Sequence, residues 1–155
     1  MKVSLRNIYG PWDQGWVLDK HTITSTYIGD DQYGHPRFKT VRSEVGEATY
    51  QLKYHQDWKK VKPLARSLAD NIYPKFKSVG FIVPMPASTA RERQPVTEIA
   101  EALGVLVKKP VFTDLLRKAR HGKSLKDLTT KGEKMAAIGD RAKTVGVKSS
   151  MLTSM

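Results

Sequence analysis

Residues 81–86 read Phe81-Ile82-Val83-Pro84-Met85-Pro86, a short apolar run that stops at two prolines. A buried strand is predicted over residues 81–83, because proline has no N–H to donate and ends the pairing of a strand. Residues 61–76, just before it, carry apolar residues three and four positions apart and are predicted to form a helix. Residues 95–103 show the same spacing, and this second predicted helix ends at Gly104.

From residue 61 onward, helix, strand, loop and helix follow one another, and this order is typical of an α/β fold. Further strands are predicted at residues 105–107 and 111–112. The predicted fold class is therefore α/β, a mainly parallel sheet flanked by helices. Since such sheets bind ligands beyond the carboxyl ends of their strands, the loop of residues 87–93 lies where a site is expected.

The N-terminal part has a different pattern. Residues 16–28 are rich in β-branched and aromatic residues and are predicted to form a strand. A turn-rich break with Asp30 and Asp31 leads to a second predicted strand at residues 38–43. The prediction is an N-terminal β-hairpin extension over residues 1–45, followed by a partial α/β domain over residues 46–155.

The amino-acid composition indicates which kinds of partner the protein can bind. The 155 residues include 27 Lys and Arg against 15 Asp and Glu, a net charge of +12, which attracts anions such as nucleic acid or a phosphorylated small molecule. Cysteine is absent, which excludes disulfides and thiolate zinc sites and fits a cytoplasmic location. No run approaches the roughly 18 apolar residues of a membrane span, and the four histidines lack metal-ligand spacing, so neither a membrane nor a metal site is predicted.

The loop after the predicted strand 81–83 carries groups suited to an anion. Ser88 offers a hydroxyl, and Arg91 and Arg93 offer planar donors that fit phosphate or diphosphate oxygens. The start of the following helix adds free N–H groups. The alternative is a solvated loop without a ligand.

A second basic segment lies at residues 115–128. Its cations include Arg117, Lys118, Arg120 and Lys123. Mobile loops that close over anionic substrates have this composition, as do surface segments that contact nucleic-acid phosphates and plain solvated charge runs. The sequence leaves these three interpretations open.

Three segments, in this order, resemble the ComF-like family of type I phosphoribosyltransferase-like proteins. They are Leu52-Lys53-Tyr54, then Val83-Pro84-Met85-Pro86 with Arg91-Glu92-Arg93-Gln94, then Leu116-Arg117-Lys118-Ala119-Arg120 with Ser124-Leu125. The resemblance implies that the first loop binds the diphosphate of phosphoribosyl diphosphate through Ser88, Arg91 and Arg93. It implies that the second segment, with Arg117, Lys118, Arg120 and Lys123, is a flexible hood, and that Mg²⁺ is the cofactor.

The chain departs from this family where the sugar-phosphate motif is expected. An apolar strand followed by two acidic residues is missing after residue 138, and the cysteine-rich zinc ribbon of the family is also missing. The expected reaction class is transfer of ribose 5-phosphate to a nitrogen nucleophile, with a truncated chain that is inactive by itself. The alternatives are a non-catalytic protein of the same fold that binds nucleic acid or a nucleotide, and an interaction module whose open sheet edge pairs with another chain, as in a homo-oligomer.

Overall fold

The computed structural model describes residues 1–87, 89 and 91–117. Its strands and helices follow this order: β1 Arg6–Asn7, β2 Trp16–Val17, β3 Thr22–Asp30, β4 Pro36–Arg42, α1 Glu44–His55, α2 Val61–Asn71 and α3 Pro95–Val107. Short 3-10 turns cover Trp58–Lys60 and Tyr73–Lys75. Within these residues no helix has both the length and the apolar composition to cross a bilayer.

The single strand predicted over residues 16–28 is two strands. β2 pairs with β1 in antiparallel register, and β3 begins only at Thr22. Between them the chain turns: Leu18 is buried, and the Asp19 carboxylate accepts a hydrogen bond from the Lys20 amide at 2.6 Å. The β-branched composition therefore identified strand residues but not the break between the two strands.

The hairpin of β3 and β4 matches the predicted pair of strands, and its turn uses the predicted aspartate. The Asp31 carboxylate accepts hydrogen bonds from the amides of Tyr33 at 2.8 Å and His35 at 2.9 Å. Gly34 has a φ of 77°, a conformation that favours glycine. Donation from two backbone amides is also the main reason why the pKa of Asp31 lies below its usual range.

Helix α1 was not predicted. Ser43 caps its N-terminus, where its hydroxyl accepts the Gly46 amide at 3.0 Å and donates to the Lys20 carbonyl. Val45, Ala48 and Leu52 are buried at the three- and four-residue spacing of one helical face. The apolar spacing of Val45, Ala48 and Leu52 is present in the sequence, but Gly46 and the many polar residues between them make the helical pattern weak.

Helix α2 begins where the sequence predicts and ends earlier. Val61, Leu64 and Ala65 form its buried face. The helix stops at Asn71, followed by the 3-10 turn that contains Pro74. Proline cannot donate to the carbonyl four residues back, so the predicted continuation to residue 76 is replaced by this turn.

The strand predicted at residues 105–107 is wrong, because α3 runs through Gly104 to Val107. A side chain at Gly104 would collide with Val111 and with the Lys109 carbonyl, so the glycine permits close packing rather than ending the helix. The cap is Lys108, in the left-handed conformation at φ 55°.

Of the strands predicted at residues 81–83 and 111–112, the structure has one parallel bridge, between Ile82 and Val111. The burial predicted for residues 81–83 is wrong, since Phe81 is 53% exposed and Ile82 and Val83 are only partly buried. Ile82 donates to the Pro110 carbonyl and Phe112 donates to the Ile82 carbonyl, each at 2.9 Å. Both sheets that the described residues form are antiparallel and two-stranded. The mainly parallel sheet thus stays a prediction.

The core joins the N-terminal segment to the first two helices. Leu18 packs in one buried cluster with residues of α1 and α2, the other members being Val45, Ala48, Leu52, Val61 and Leu64. The predicted boundary between residues 45 and 46 falls inside α1. The division into residues 1–45 and 46–155 stays a prediction, and the hairpin β3–β4 contributes no member of this cluster.

Candidate phosphate-binding cleft

A cleft of about 490 Å³ lies between the C-terminal end of α1 and the loop that precedes α3. Its lining residues are Leu52, Lys53, Tyr54, Gln56, Trp58, Arg91, Glu92 and Arg93. Three of these are cations and two are aromatic, so the surface combines positive charge with apolar ring faces. We call it the α1–α3 cleft.

Arg91 ties the two walls of the cleft together. Its Nη1 donates to the Lys53 carbonyl at 3.0 Å, across 38 residues of sequence. The carbonyls in the last turn of a helix have no intrahelical partner, and a cation there also meets the negative end of the helix dipole. Gln56 ends α1 in the left-handed conformation at φ 55°, after which the chain turns toward Trp58. Arg91 therefore satisfies a helix end and contributes positive charge to the cleft.

Arg93 is held from two sides. Its Nε and Nη2 donate to the two carboxylate oxygens of Glu98 at 2.9 and 2.7 Å. Its guanidinium carbon lies 4.1 Å from the ring centroid of Trp58. The bonds from Arg93 lower the pKa of Glu98, although partial burial of that carboxyl opposes the effect. Much of the positive charge of Arg93 is thus balanced by Glu98, and both side chains stay partly exposed.

Gln94 shapes the loop between these arginines. Its Nε2 donates to the Thr89 carbonyl at 2.9 Å and to the Arg91 carbonyl at 3.4 Å. Gln94 is also the N-cap residue of α3, with no side-chain bond to the helix, and Pro95 follows it. The amide side chain is therefore used to fold the loop back on itself, which fixes the backbone next to Arg91.

The cleft can bind an anion more readily than a cation. Lys53 and Arg91 are both exposed, and neither forms a salt bridge within the described residues. Glu92 is the one carboxylate of the lining set. The Lys53 ammonium lies 5.3 Å from the Tyr54 ring, so a flat apolar face adjoins the charge. Charge-assisted hydrogen bonds to phosphate oxygens are the interactions that such donors form best.

The predicted site residues divide into three groups. Arg91 and Arg93 both line the cleft. Arg117 is exposed and is not among the lining residues. The remaining predicted residues, Ser88, Lys118, Arg120 and Lys123, lie outside the described part of the chain.

Sequence reasoning missed the other wall of the cleft, Lys53, Tyr54 and Trp58. Lys53 and Tyr54 belong to a segment that carries the family resemblance, but the sequence pattern indicates no site role for them. They reach the cleft because α1 ends at His55 and presents its last turn to the loop. Since α1 itself was not predicted, neither was this approach.

The cleft does not supply a magnesium site of its own. Mg²⁺ in proteins is held by one or two carboxylates together with substrate phosphates. Glu92 is the single carboxylate of the lining set, and it stands among three cations. Across residues 1–87, 89 and 91–117, no group of three or more His, Asp or Glu side chains is placed to hold a metal ion. The predicted Mg²⁺ cofactor therefore gains no support from these residues.

Two properties single out the α1–α3 cleft within the described residues. Cations from two distant segments line one surface, and the partly exposed rings of Tyr54 and Trp58 lie beside them. Both properties are observed in the structure of this chain and do not depend on any relative. Comparisons with protein-family models, with curated proteins and with solved structures found no match for this chain.

Proposed function

We propose that the α1–α3 cleft binds the diphosphate group of a phosphorylated small molecule, and that this molecule is phosphoribosyl diphosphate. The observation that carries the proposal is the hydrogen bond from Arg91 to the Lys53 carbonyl. It brings together two segments that resemble the same phosphoribosyltransferase-like family. It also places two cations without salt-bridge partners in the described residues beside one cleft.

The division of roles within the cleft follows from the contacts. Arg91 and Lys53 are the primary ligands, because their charges are not balanced by a carboxylate among the described residues. Arg93 has a positioning role, since Glu98 and Trp58 hold its guanidinium. Tyr54 provides a flat face beside Lys53 on which a sugar or base can pack.

The reaction class that the resemblance implies is transfer of ribose 5-phosphate to a nitrogen nucleophile. In such a reaction, donors around the diphosphate stabilise the negative charge that develops on the leaving group. The cleft offers those donors. In residues 139–155, where the resemblance places it, this chain has no apolar strand with an acidic pair to hold the ribose hydroxyls, so we expect residues 1–155 to bind the diphosphate without transfer.

Calorimetric titration with inorganic diphosphate tests the proposal. The double variant Lys53→Ala, Arg91→Ala should weaken binding by roughly tenfold or more, because two charge-assisted contacts are lost. The matched control is Lys62→Ala, Arg66→Ala, which removes the same two charges from the exposed surface of α2. Equal affinities for the two double variants would show that diphosphate responds only to overall charge, and the proposed site would be abandoned.

A second candidate function is the binding of single-stranded nucleic acid. Tyr54 favours it, because this ring is 57% exposed beside Lys53, and exposed aromatic rings next to cations stack bases and contact phosphates. Fluorescence anisotropy with a labelled single-stranded oligonucleotide separates the two functions. Tyr54→Ala should reduce oligonucleotide affinity strongly if bases stack there, whereas inorganic diphosphate affinity should change little.

The α/β architecture with a mainly parallel sheet belongs to the same proposal. The parallel bridge between Ile82 and Val111 supports it, since it is a parallel pairing between two segments that were each predicted as strands. A cytoplasmic location and a role for Mg²⁺ are likewise proposals. Repeating the diphosphate titration with and without MgCl₂ tests the metal directly.

A further inference from the structure

The hairpin β3–β4 exposes an unusual amount of apolar surface. The first seven of the nine residues of β3 are all exposed, and β4 is exposed at most of its positions. Five large apolar side chains of the hairpin are between 46% and 61% exposed: Ile23, Tyr27, Ile28, Phe38 and Val41. Clustered apolar side chains that remain in water are typical of surfaces that contact another molecule.

Both edges of this two-stranded hairpin are open within the described residues, and the β3 edge is the less charged one. β3 pairs with β4 along one side, and along its other side no strand of the described residues lies next to it. The backbone hydrogen bonds of residues 22–30 within the described chain are those of the hairpin itself. A two-stranded hairpin by itself is only marginally stable in water, and an unpaired edge is a template for a further strand.

The charges of the two strands determine which strand can pair with the open edge of β3. Residues 22–29 of β3 carry no charged side chain, in a chain of net charge +12. β4 carries Arg37, Lys39 and Arg42. Like charges directly opposite each other destabilise a pair of strands. A second copy of β3 meets no such repulsion at the edge, whereas two β4 edges would bring six cations together, three from each copy.

We propose that two copies of this chain associate through their β3 edges, antiparallel and around a two-fold axis, to form a four-stranded sheet. An antiparallel pair of identical strands has one residue opposite its own copy, and Ser25 is that residue here. Ser25 lies in the regularly paired part of β3, Thr24–Tyr27, which is flanked by register shifts on both sides. On the face of Ser25, Tyr27 already packs edge-to-face with Phe38 at 5.8 Å between ring centroids. The Tyr27–Phe38 pairs of the two copies then lie on one face on either side of Ser25, and threonines 24 and 26 face each other on the opposite side.

The association is independent of the anion cleft. The hairpin residues 22–42 include none of the residues that line the α1–α3 cleft. The two properties also respond oppositely to salt. Added NaCl screens the repulsion between two chains of charge +12 and strengthens association, whereas it weakens diphosphate binding.

Sedimentation equilibrium measures the association in 0.15 M and 0.5 M NaCl. We expect a monomer–dimer equilibrium that shifts toward dimer at the higher salt. Ser25→Lys should abolish it, because two lysines would lie directly opposite each other. Gln32→Lys is the matched control, since it adds the same charge to the exposed hairpin turn and leaves the β3 edge intact. A wild-type monomer at concentrations up to about 0.1 mM would overturn the proposal, as would a Ser25→Lys variant that dimerises like the control.

Cysteine cross-linking tests the register, because the chain has no cysteine of its own. Residues directly opposite in antiparallel strands have Cα atoms about 4.5–5.5 Å apart, within the range of a disulfide. Ser25→Cys should therefore form a covalent dimer under mild oxidation. Thr26→Cys should not, because its own copy is displaced along the strand. Efficient cross-linking of Thr26→Cys without cross-linking of Ser25→Cys would refute the register, and equal, slow cross-linking of both would refute the interface.

Discussion

Gly46 lies where the first turn of α1 meets the backbone at His21. A Cβ atom built at this position would collide with the carbonyl group of His21, whereas Gly80 has open space around it. Helix propensity favours alanine over glycine by about 1 kcal/mol, but the collision with backbone atoms opposes this gain. Close packing of α1 against the backbone of His21 therefore requires glycine at position 46, although helix propensity favours alanine.

We expect Gly46→Ala to lower the free energy of unfolding by about 1–2 kcal/mol, since overpacking against backbone outweighs the gain in helix propensity. Urea denaturation followed by circular dichroism measures the change. Gly80→Ala is the control and should leave the free energy of unfolding nearly unchanged. A Gly46→Ala variant more stable than wild type would mean that His21 can move away from α1 without cost.

Glu98 makes the free energy of unfolding depend on pH. Hydrogen bonds from Arg93 lower its pKa below the ordinary value of 4.5. A carboxyl with a lowered folded-state pKa contributes stability that is present above its unfolded pKa and is lost as pH falls through the folded one. Glu98→Gln should therefore destabilise the protein at pH 7, and the difference from wild type should shrink as pH falls below 4.5.

Urea denaturation of both proteins at pH 7 and at about pH 3 measures this difference. Glu101→Gln, an exposed carboxylate on the same helix, is the control for removing a charge from α3. A pH-independent difference between Glu98→Gln and wild type would show that the pair with Arg93 does not hold in solution.

At the scale of elements, local patterns were sufficient where one signal dominated. The apolar spacing of α2 and the Pro95 start of α3 predicted two helices, and the turn residues after β3 predicted the hairpin. The wrong strand at residues 105–107 came from treating Gly104 as a cap. Its role depends on contact with Val111, seven residues later, which no local pattern contains.

The residues of the candidate site were also only partly predictable from the sequence. Arg91 and Arg93 could be predicted, because they follow an apolar run and precede a helix. Lys53 and Trp58 could not, because their approach to this loop depends on where α1 ends. The salt bridge between Arg93 and Glu98 was likewise not predictable from the sequence, although the two residues are only five positions apart. A basic loop therefore indicates where charge lies, while the structure decides which cations are available to a ligand.

The hairpin is the element that should unfold most independently, because it contributes no residue to the buried cluster of α1 and α2. Asp31→Ala removes the acceptor of two backbone amides in its turn. We expect faster hydrogen exchange of amides in residues 22–42 and unchanged exchange in α2. Gln32→Ala in the same turn is the control. Faster exchange throughout α2 would show that the hairpin and the helices unfold as one unit.

For the whole molecule, the net charge of +12 makes stability respond to ions in two ways. Repulsion among like charges destabilises the compact state, so screening by NaCl should raise the melting temperature. A ligand that binds the folded state alone stabilises it by about 2.7 kcal/mol at 100 times its Kd. For a domain of this size, that corresponds to roughly 5–10 °C.

We therefore expect inorganic diphosphate at low NaCl to raise the melting temperature, and we expect this increment to shrink as NaCl increases, because the ions compete for the same cations. The variant Lys53→Ala, Arg91→Ala should lose the increment caused by diphosphate and keep the increment caused by NaCl. Differential scanning calorimetry measures both, with Lys62→Ala, Arg66→Ala as the variant of equal net charge. If diphosphate stabilises both double variants equally, it acts by screening the whole +12 charge rather than by occupying the α1–α3 cleft.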